Sequence, residues 1–188
     1  RDYYNEEILE LKFKVNAFSF FQTNIKAVER LYSEALALIP DPDAKIVYDL
    51  YCGTGTISQL MASKAKKVYG VEIVQDSIDA AIDNAKMNGI DNCHFICGDV
   101  KAKLDEVTEK PDMIVVDPPR MGMYDKVVEM LASYGIEQIL YISCNPNTMA
   151  INLEKFAELG YKPRVIKAYD NFAKTKHVES VTLLSRTT

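Results

Sequence analysis

The chain has 188 residues, of which 48% are apolar and 26% charged, and its formal net charge is −5. That balance describes one globular domain able to bury its own core and excludes a disordered or fibrous chain. No run of 18 or more apolar residues occurs, so no membrane helix is expected, and the acidic balance does not by itself announce a nucleic-acid partner.

The opening stretch, "RDYYNEEILE", is charged where a secretion signal would be apolar, and it carries no Met. Residues 1–16 are expected to be a remnant of, or linker to, a missing N-terminal region, with the domain proper over 17–188. Cys52, Cys93, Cys97 and Cys144 form no CxxC pair. Their spacing suits neither zinc nor an iron–sulfur cluster, so no metal site is expected. Free thiols fit a reducing cytoplasm.

From residue 45 the chain alternates. "KIVYDLY" (45–51) reads as a strand, followed by "CGTG" and the helical "TISQLMASKA". "KKVYGVEI" (66–73) is a second strand. The helix after it, "DSIDAAIDNAKMNG", has Asp76 as its expected N-cap and Gly89 as its stop. "CHFICGD" (93–99), "PDMIVVDPP" (111–119) and "EQILYISC" (137–144) are three more strands, with helical patterns between them. Near-continuous apolar strands alternating with helices predict a parallel sheet covered on both faces. "RVIKAYDNF" and "VESVTLLS" have no helix between them and predict a closing hairpin with one antiparallel strand. The expected architecture is a doubly wound α/β fold.

Ligands in such folds bind beyond the carboxyl ends of the strands. Those ends carry the Asp49–Gly55 turn, Glu72, Asp99, Asp117 and Cys144. Gly53 and Gly55 permit positive φ and close backbone approach. Glu72 is placed to accept both hydroxyls of a ribose, and Asp99 to receive an adenine amino group. A dinucleotide turn would want a third glycine where Ser58 stands. A glycine turn, a ribose acid and an adenine acid without a phosphate cradle describe S-adenosylmethionine better. The alternative for Glu72 and Asp99 is a solvated strand-end charge or a helix N-cap.

"DPPR" (117–120) makes a rigid extended turn able to shape a slot for a flat ring. Asp117 is expected to face the methyl donor, while Arg120 can reach a phosphate or carboxylate. In "YISCNP", Asn145 suits an N-cap and Pro146 the first helical position. Cys144 then stands at a helix N-terminus, where the dipole is expected to lower its pKa. A thiolate added to carbon 6 of a pyrimidine turns carbon 5 into a nucleophile, and a base must later remove the carbon-5 proton. In "KHVESVTLLS", Glu179 shares a strand face with Val181 and Leu183. It is expected to be that base, its pKa raised by desolvation; the alternative is a salt bridge with a nearby lysine. His177 is expected to orient a group or contact RNA.

Together "FSFFQTN" (18–24), "DLYCGTG", "DPPRMG", "SCNPNTMA" and "HVES" resemble the S-adenosylmethionine-dependent RNA uracil-5-methyltransferases, which make 5-methyluridine in ribosomal or transfer RNA. The resemblance covers almost the whole chain. It implies a Rossmann-like class I methyltransferase fold, Cys144 as nucleophile and Glu179 as proton-abstracting base. It further implies that Gln22, Tyr51, Glu72, Asp99 and Asp117 contact the cofactor or line its pocket; Gln22 and Tyr51 rest on the resemblance alone. Family members often carry Asn where Thr56 stands, which bears on a cofactor contact, and Pro where Ala173 stands. They usually add an N-terminal RNA-binding β-barrel, and ribosomal-RNA members often an iron–sulfur cluster.

The expected reaction is methylation of carbon 5 of a uridine, in ribosomal RNA rather than transfer RNA. Alternatives are RNA cytosine-5 methylation and a binding-only fragment without turnover. Lys64, Lys66 and Lys67, and Lys162, Arg164, Lys167, Lys174 and Lys176, form two candidate basic strips. With a charge of −5, RNA affinity is expected to be weak in this chain. The target uridine must be unstacked to reach Cys144.

Overall fold

The computed structural model describes residues 3–16, 24–39, 45–172, 175 and 177–187. Among them a seven-stranded sheet forms the centre of the molecule. Its strands are β3 (Ile46–Leu50), β4 (Lys67–Glu72), β5 (Cys93–Cys97), β6 (Met113–Val116), β7 (Gln138–Ser143), β8 (Tyr161–Tyr169) and β9 (Glu179–Arg186), and a separate hairpin joins β1 (Tyr3–Ile8) to β2 (Leu11–Asn16). The helices are α1 (Ile25–Ala37), α2 (Thr56–Ala62), α3 (Gln75–Met87), α4 (Val100–Leu104), α5 (Asp125–Ser133) and α6 (Pro146–Glu158).

The strand order is β5-β4-β3-β6-β7-β9-β8. Pairing is parallel from β5 through β7, and β9 runs antiparallel to both β7 and β8. Each predicted strand is present, and the C-terminal pair closes the sheet with one reversed strand.

Side chains on successive strand residues alternate between two cores. Val47, Val115 and Leu140 face one core with α1, α2 and the hairpin. Tyr48, Ile114, Val116, Ile139 and Tyr141 face the other, with α4, α5 and α6. Both faces are apolar because both are covered, which is why these strands read as continuous apolar runs.

The stretch expected to be a remnant or linker contains the β1–β2 hairpin, and Ile8, Phe13 and Val15 in it are buried. Burying side chains of this size stabilises by about 1.5–3 kcal/mol each. Two amides one turn apart on α3 hold the outer edge of β2: Asn84 Oδ1 accepts from the Lys14 amide at 2.8 Å and Asn88 Oδ1 from the Lys12 amide at 2.9 Å. Asn88 Nδ2 returns a bond to the Lys12 carbonyl at 2.9 Å. The hairpin is thereby fixed against the domain, with Ile8 reaching the cleft described below.

The helix carrying Asp76 starts earlier than expected. Val74 occupies its N-cap and Asp76 lies in the first turn without a capping bond. The reason is Glu72, whose Oε1 accepts from the Val74 amide at 3.0 Å and folds the chain into the helix directly after the strand. Gly89 ends this helix at φ +68°, as expected.

Candidate active site

The order of parallel strands reverses between β3 and β6, the position where open α/β sheets hold ligands. A cleft of about 660 Å³ opens there, and Tyr51, Gly53, Thr56, Glu72, Asp117, Arg120, Cys144, His177 and Glu179 all line it.

Sheet register brings them together. Leu50 pairs with Val71 and with Val116, so the next residues along, Tyr51, Glu72 and Asp117, emerge side by side. Ser143 pairs with Ser180 as the last pair of the antiparallel ladder, so the residues flanking that pair, Cys144 and Glu179, come together at its end. Thirty-five positions of sequence separation vanish at that end of the ladder.

At one end of the cleft lies the glycine turn. Tyr51, Gly53 and Gly55 have φ of 65°, 52° and 75°. For Tyr51 that left-handed backbone costs about 1–2 kcal/mol; amides 51 and 52 both donate to the Val71 carbonyl, at 2.9 and 3.1 Å, and hold it. A Cβ on Gly53 would meet nothing within 4 Å, whereas one on Gly55 would stand 2.8 Å from the Phe95 ring. Gly55→Ala is therefore expected to lower folding stability by about 1–2 kcal/mol from the backbone alone, with the ring clash in addition; urea unfolding measures this. In the third glycine position of a dinucleotide turn, Ser58 donates to the buried Asp49 at 2.5 Å. Burial pushes that carboxyl up to about 7.

Glu72 shapes the floor: its Oε2 accepts from the Gly53 amide at 3.2 Å while its Oε1 holds Val74. Each oxygen keeps a further lone pair for a hydroxyl. Beside it Ile73 and Val74 line the cleft at 66% and 50% exposure, an apolar shelf facing solvent. Open backbone at Gly53, a diol-accepting carboxylate and an apolar shelf fit the ribose and adenine of a nucleoside cofactor. Asp99 does not line the cleft; it is exposed and caps α4, its Oδ1 accepting from the Ala102 amide at 3.1 Å. Gln22 lies outside the described residues.

At the other end lies the thiol. Asn145 and Pro146 start α6 as expected, Asn145 capping through the Asn147 amide at 3.2 Å. The thiol pKa is nevertheless raised, not lowered. Burial contributes most, followed by the negative charges of Glu179 and Asp117, against which the Arg120 guanidinium works in the opposite direction. Burial and two neighbouring carboxylates together override the lowering expected at a helix N-terminus. Burial likewise raises Glu179, which Arg120 partly offsets, and Asp117, which also feels Glu179. Among the described residues no lysine or arginine forms an ion pair with Glu179. Alkylation of Cys144 by iodoacetamide is therefore expected to rise with pH through a midpoint above the ordinary thiol value of about 8.5. Glu179→Gln removes a negative charge and should move that midpoint down.

The Arg120 loop is pinned to the helix that follows the thiol. Its carbonyl accepts from Asn145 Nδ2 at 2.9 Å and Thr148 Oγ1 at 3.1 Å. One turn on, buried Asn152 accepts from the Met123 amide and the Tyr141 hydroxyl and donates to the Met123 carbonyl, all at 2.8 Å. The guanidinium meets His177 Nδ1 at 2.9 Å. Sequence reasoning missed Thr148 and Asn152; their i, i+4 spacing on one helix face was the available signal. Asn152→Ala orphans buried partners and is expected to cost about 1–3 kcal/mol by chemical denaturation.

The candidate basic strips are partly neutralised: Lys67 pairs with Glu109 at 2.5 Å and Lys167 with Glu34 at 2.9 Å. Lys64, Lys66, Lys162 and Arg164 are exposed, and Lys174 and Lys176 lie outside the described residues. All four cysteines are free. Among the described residues no helix is long and apolar enough to cross a membrane.

A seven-stranded, mostly parallel sheet ending in an antiparallel hairpin, with a glycine turn and a strand-end acid at its switch point, is the class I methyltransferase fold. Within that class the chain belongs to the tRNA (Uracil-5-)-methyltransferase family, which matches residues 4–187. It is 49% identical over 186 residues to an uncharacterized RNA methyltransferase of Caldanaerobacter subterraneus subsp. tengcongensis, and 47% identical over 186 residues to one of Clostridium acetobutylicum. Each match covers 99% of this chain and 41% of the relative, so the chain spans about two fifths of their length. Among solved structures, the Pyrococcus abyssi tRNA (uracil-54, C5)-methyltransferase in complex with S-adenosyl-L-homocysteine superposes with a TM-score of 0.83 at 30% identity, covering 98% of this chain and 44% of that one.

Proposed function

We propose that this chain is the catalytic module of a longer cytoplasmic RNA methyltransferase, over residues 17–188, with residues 1–16, which contain the β1–β2 hairpin, leading to an RNA-binding region. It methylates carbon 5 of a uridine through a covalent bond between Cys144 and uracil. The observation that carries this reading is that the Cys144 thiol and the Glu179 carboxylate, close enough for the charge of one to act on the other, line the same cleft as the Gly53–Glu72 floor.

S-adenosylmethionine, when bound, supplies an electrophilic methyl group. Glu72, the Gly53 backbone and the Ile73–Val74 shelf would hold its nucleoside. Tyr51, Thr56 and Asp117 would line the remainder, and Gln22 and Asp99 complete the set that the family resemblance names. The Cys144 thiol gives its proton to solvent, its sulfur forms a bond to carbon 6 of the uracil, and the electron pair of the 5,6 double bond moves toward carbon 5 and the 4-oxygen. Once carbon 5 carries the methyl group, Glu179 takes the proton from that carbon. The freed electron pair restores the double bond and expels the thiolate. Arg120 and His177 line the substrate side and stabilise negative charge developing on the ring.

Support for a separate RNA-binding region comes from the chain's charge of −5 and from the paired state of Lys67 and Lys167. The preference for ribosomal over transfer RNA belongs to that region, because the cleft reads a base and not an RNA fold. To test the reading, ribosomal and transfer RNA lacking the modification are incubated with the full-length protein and S-adenosylmethionine, then digested to nucleosides for mass spectrometry. New 5-methyluridine in either RNA supports it, and ribosomal RNA is the expected acceptor. Only 5-methylcytidine, or no methylated nucleoside, would overturn it.

A further inference from the structure

We infer that the segment between β6 and α5 is a nucleotide platform, on which Tyr124 and Met121 stack the RNA base next to the target uridine. The inference rests on the methyltransferase reading and names how that same site holds its substrate.

Tyr124 is 70% exposed and Met121 64%, among the most exposed large apolar side chains described. Neither side chain takes part in a hydrogen bond or ring contact among the described residues. Singly exposed apolar residues need no explanation, but these two are three positions apart on a segment that is not loose. Its backbone is tied down at the Arg120 carbonyl by Asn145 and Thr148, and at Met123 on both its amide and its carbonyl by Asn152. Between the two ties Gly122 turns the chain at φ +75°, its amide bonded to the Pro119 carbonyl at 2.8 Å. A Cβ there would stand 2.9 Å from Asn152 Oδ1, so the turn is pressed against α6.

The outcome is a rigid segment with two faces. Inside, Pro118, Pro119 and Arg120 line the reaction cleft. Outside, Met121 and Tyr124 meet solvent. Both are anchored to the helix that begins two residues after Cys144, so the platform keeps a fixed position relative to the thiol.

The chemistry of the reaction says what belongs on such a surface. A uridine can reach Cys144 only by leaving its stack, which strips its neighbour of a stacking partner. An aromatic ring on the segment whose residues 118–120 line the cleft replaces that partner, and base–aromatic stacking tolerates any base because every base has a π-face. Charge agrees locally: from Arg120 to Lys126 the segment carries two cations against Asp125, a net of +1 in a chain of −5. A nucleic-acid strand passing the cleft would therefore meet its aromatic and cationic groups together.

The test uses the full-length protein and the RNA in which the nucleoside assay finds the modification. Tyr124→Ala is expected to lower kcat/KM for that RNA by about 5- to 150-fold, the size of one base–aromatic stack, chiefly through KM. Tyr124→Phe should keep most of the wild-type value, because the ring and not the hydroxyl does the stacking. S-adenosylmethionine affinity should stay within twofold. Tyr4→Ala, which removes a 54% exposed tyrosine from the hairpin, serves as the control and should change nothing. The deciding comparison repeats the assay on RNAs whose nucleotides on either side of the target are abasic. With one of them the wild type should fall to the level of Tyr124→Ala, and the variant should lose nothing further.

A Tyr124→Ala enzyme within twofold of wild type would overturn the platform. So would a loss of the same size on both abasic RNAs. A lowered melting temperature with unchanged RNA kinetics would overturn it too, showing that another part of the protein covers Tyr124. A wild type that methylates no RNA would overturn the methyltransferase reading itself, which the Tyr124 comparison does not do.

Discussion

Cys144→Ala should abolish methyl transfer, a fall on the order of 10⁴-fold or more for loss of a covalent nucleophile, while S-adenosylmethionine still binds within twofold of wild type. The separation follows from the geometry. Cys144 lies where β7 meets α6, whereas the nucleoside floor at Gly53 and Glu72 is built on β3 and β4. No hydrogen bond of the glycine turn passes through the thiol. Isothermal titration with the cofactor and a methylation assay on the same preparation check both halves. Activity surviving in the alanine variant would remove the covalent mechanism.

Glu179→Gln should stop the reaction after methylation and not before it. The amide keeps the shape of the carboxylate but takes no proton, so carbon 5 retains its hydrogen and the sulfur cannot leave. Turnover is expected to fall about 10²–10⁴-fold, with a Cys144–RNA adduct accumulating to near the enzyme concentration. Denaturing gels resolve that adduct directly. The surroundings of the carboxylate suit proton abstraction. It is 5% exposed, and burial raises its proton affinity above that of an ordinary glutamate while Arg120 moderates the rise. Rapid turnover with no adduct would move the base to another residue, Asp117 being a buried carboxylate of the same cleft that feels the charge of Glu179.

Much of this was legible in the sequence because the physics there is local or periodic. β3, β6 and β7 are buried on both faces, so continuous apolar runs marked them. Asn145 and Pro146 marked the start of α6, and the polar strand ends marked the cleft. What the sequence hid depends on distant partners. In β1 only Ile8 is fully buried, so its alternation gives no strand signal, and the amides holding β2 come from Asn84 and Asn88 some seventy positions away. The local rule for a thiol at a helix N-terminus predicted a lowered pKa. Burial of the thiol reverses it, with Glu179 and Asp117 adding to the rise from distant parts of the chain. Asp99 carried two readings, and its Oδ1 makes the local bond, as the cap of α4, which its place after a strand did not single out. Thr148 and Asn152 looked like ordinary helix positions, although their partners lie on the segment from Arg120 to Met123.

The most direct test of the central claim is intact-protein mass spectrometry of the full-length protein mixed with S-adenosylmethionine and its RNA carrying 5-fluorouridine at the target. Fluorine cannot leave as a proton does, so the reaction should halt with carbon 5 methylated and carbon 6 bonded to sulfur. The account predicts a species heavier by one RNA and one methyl group, with the bond mapping to Cys144 after digestion. A protein that methylates the unmodified RNA yet forms no such species, or forms it on another residue, would contradict the account.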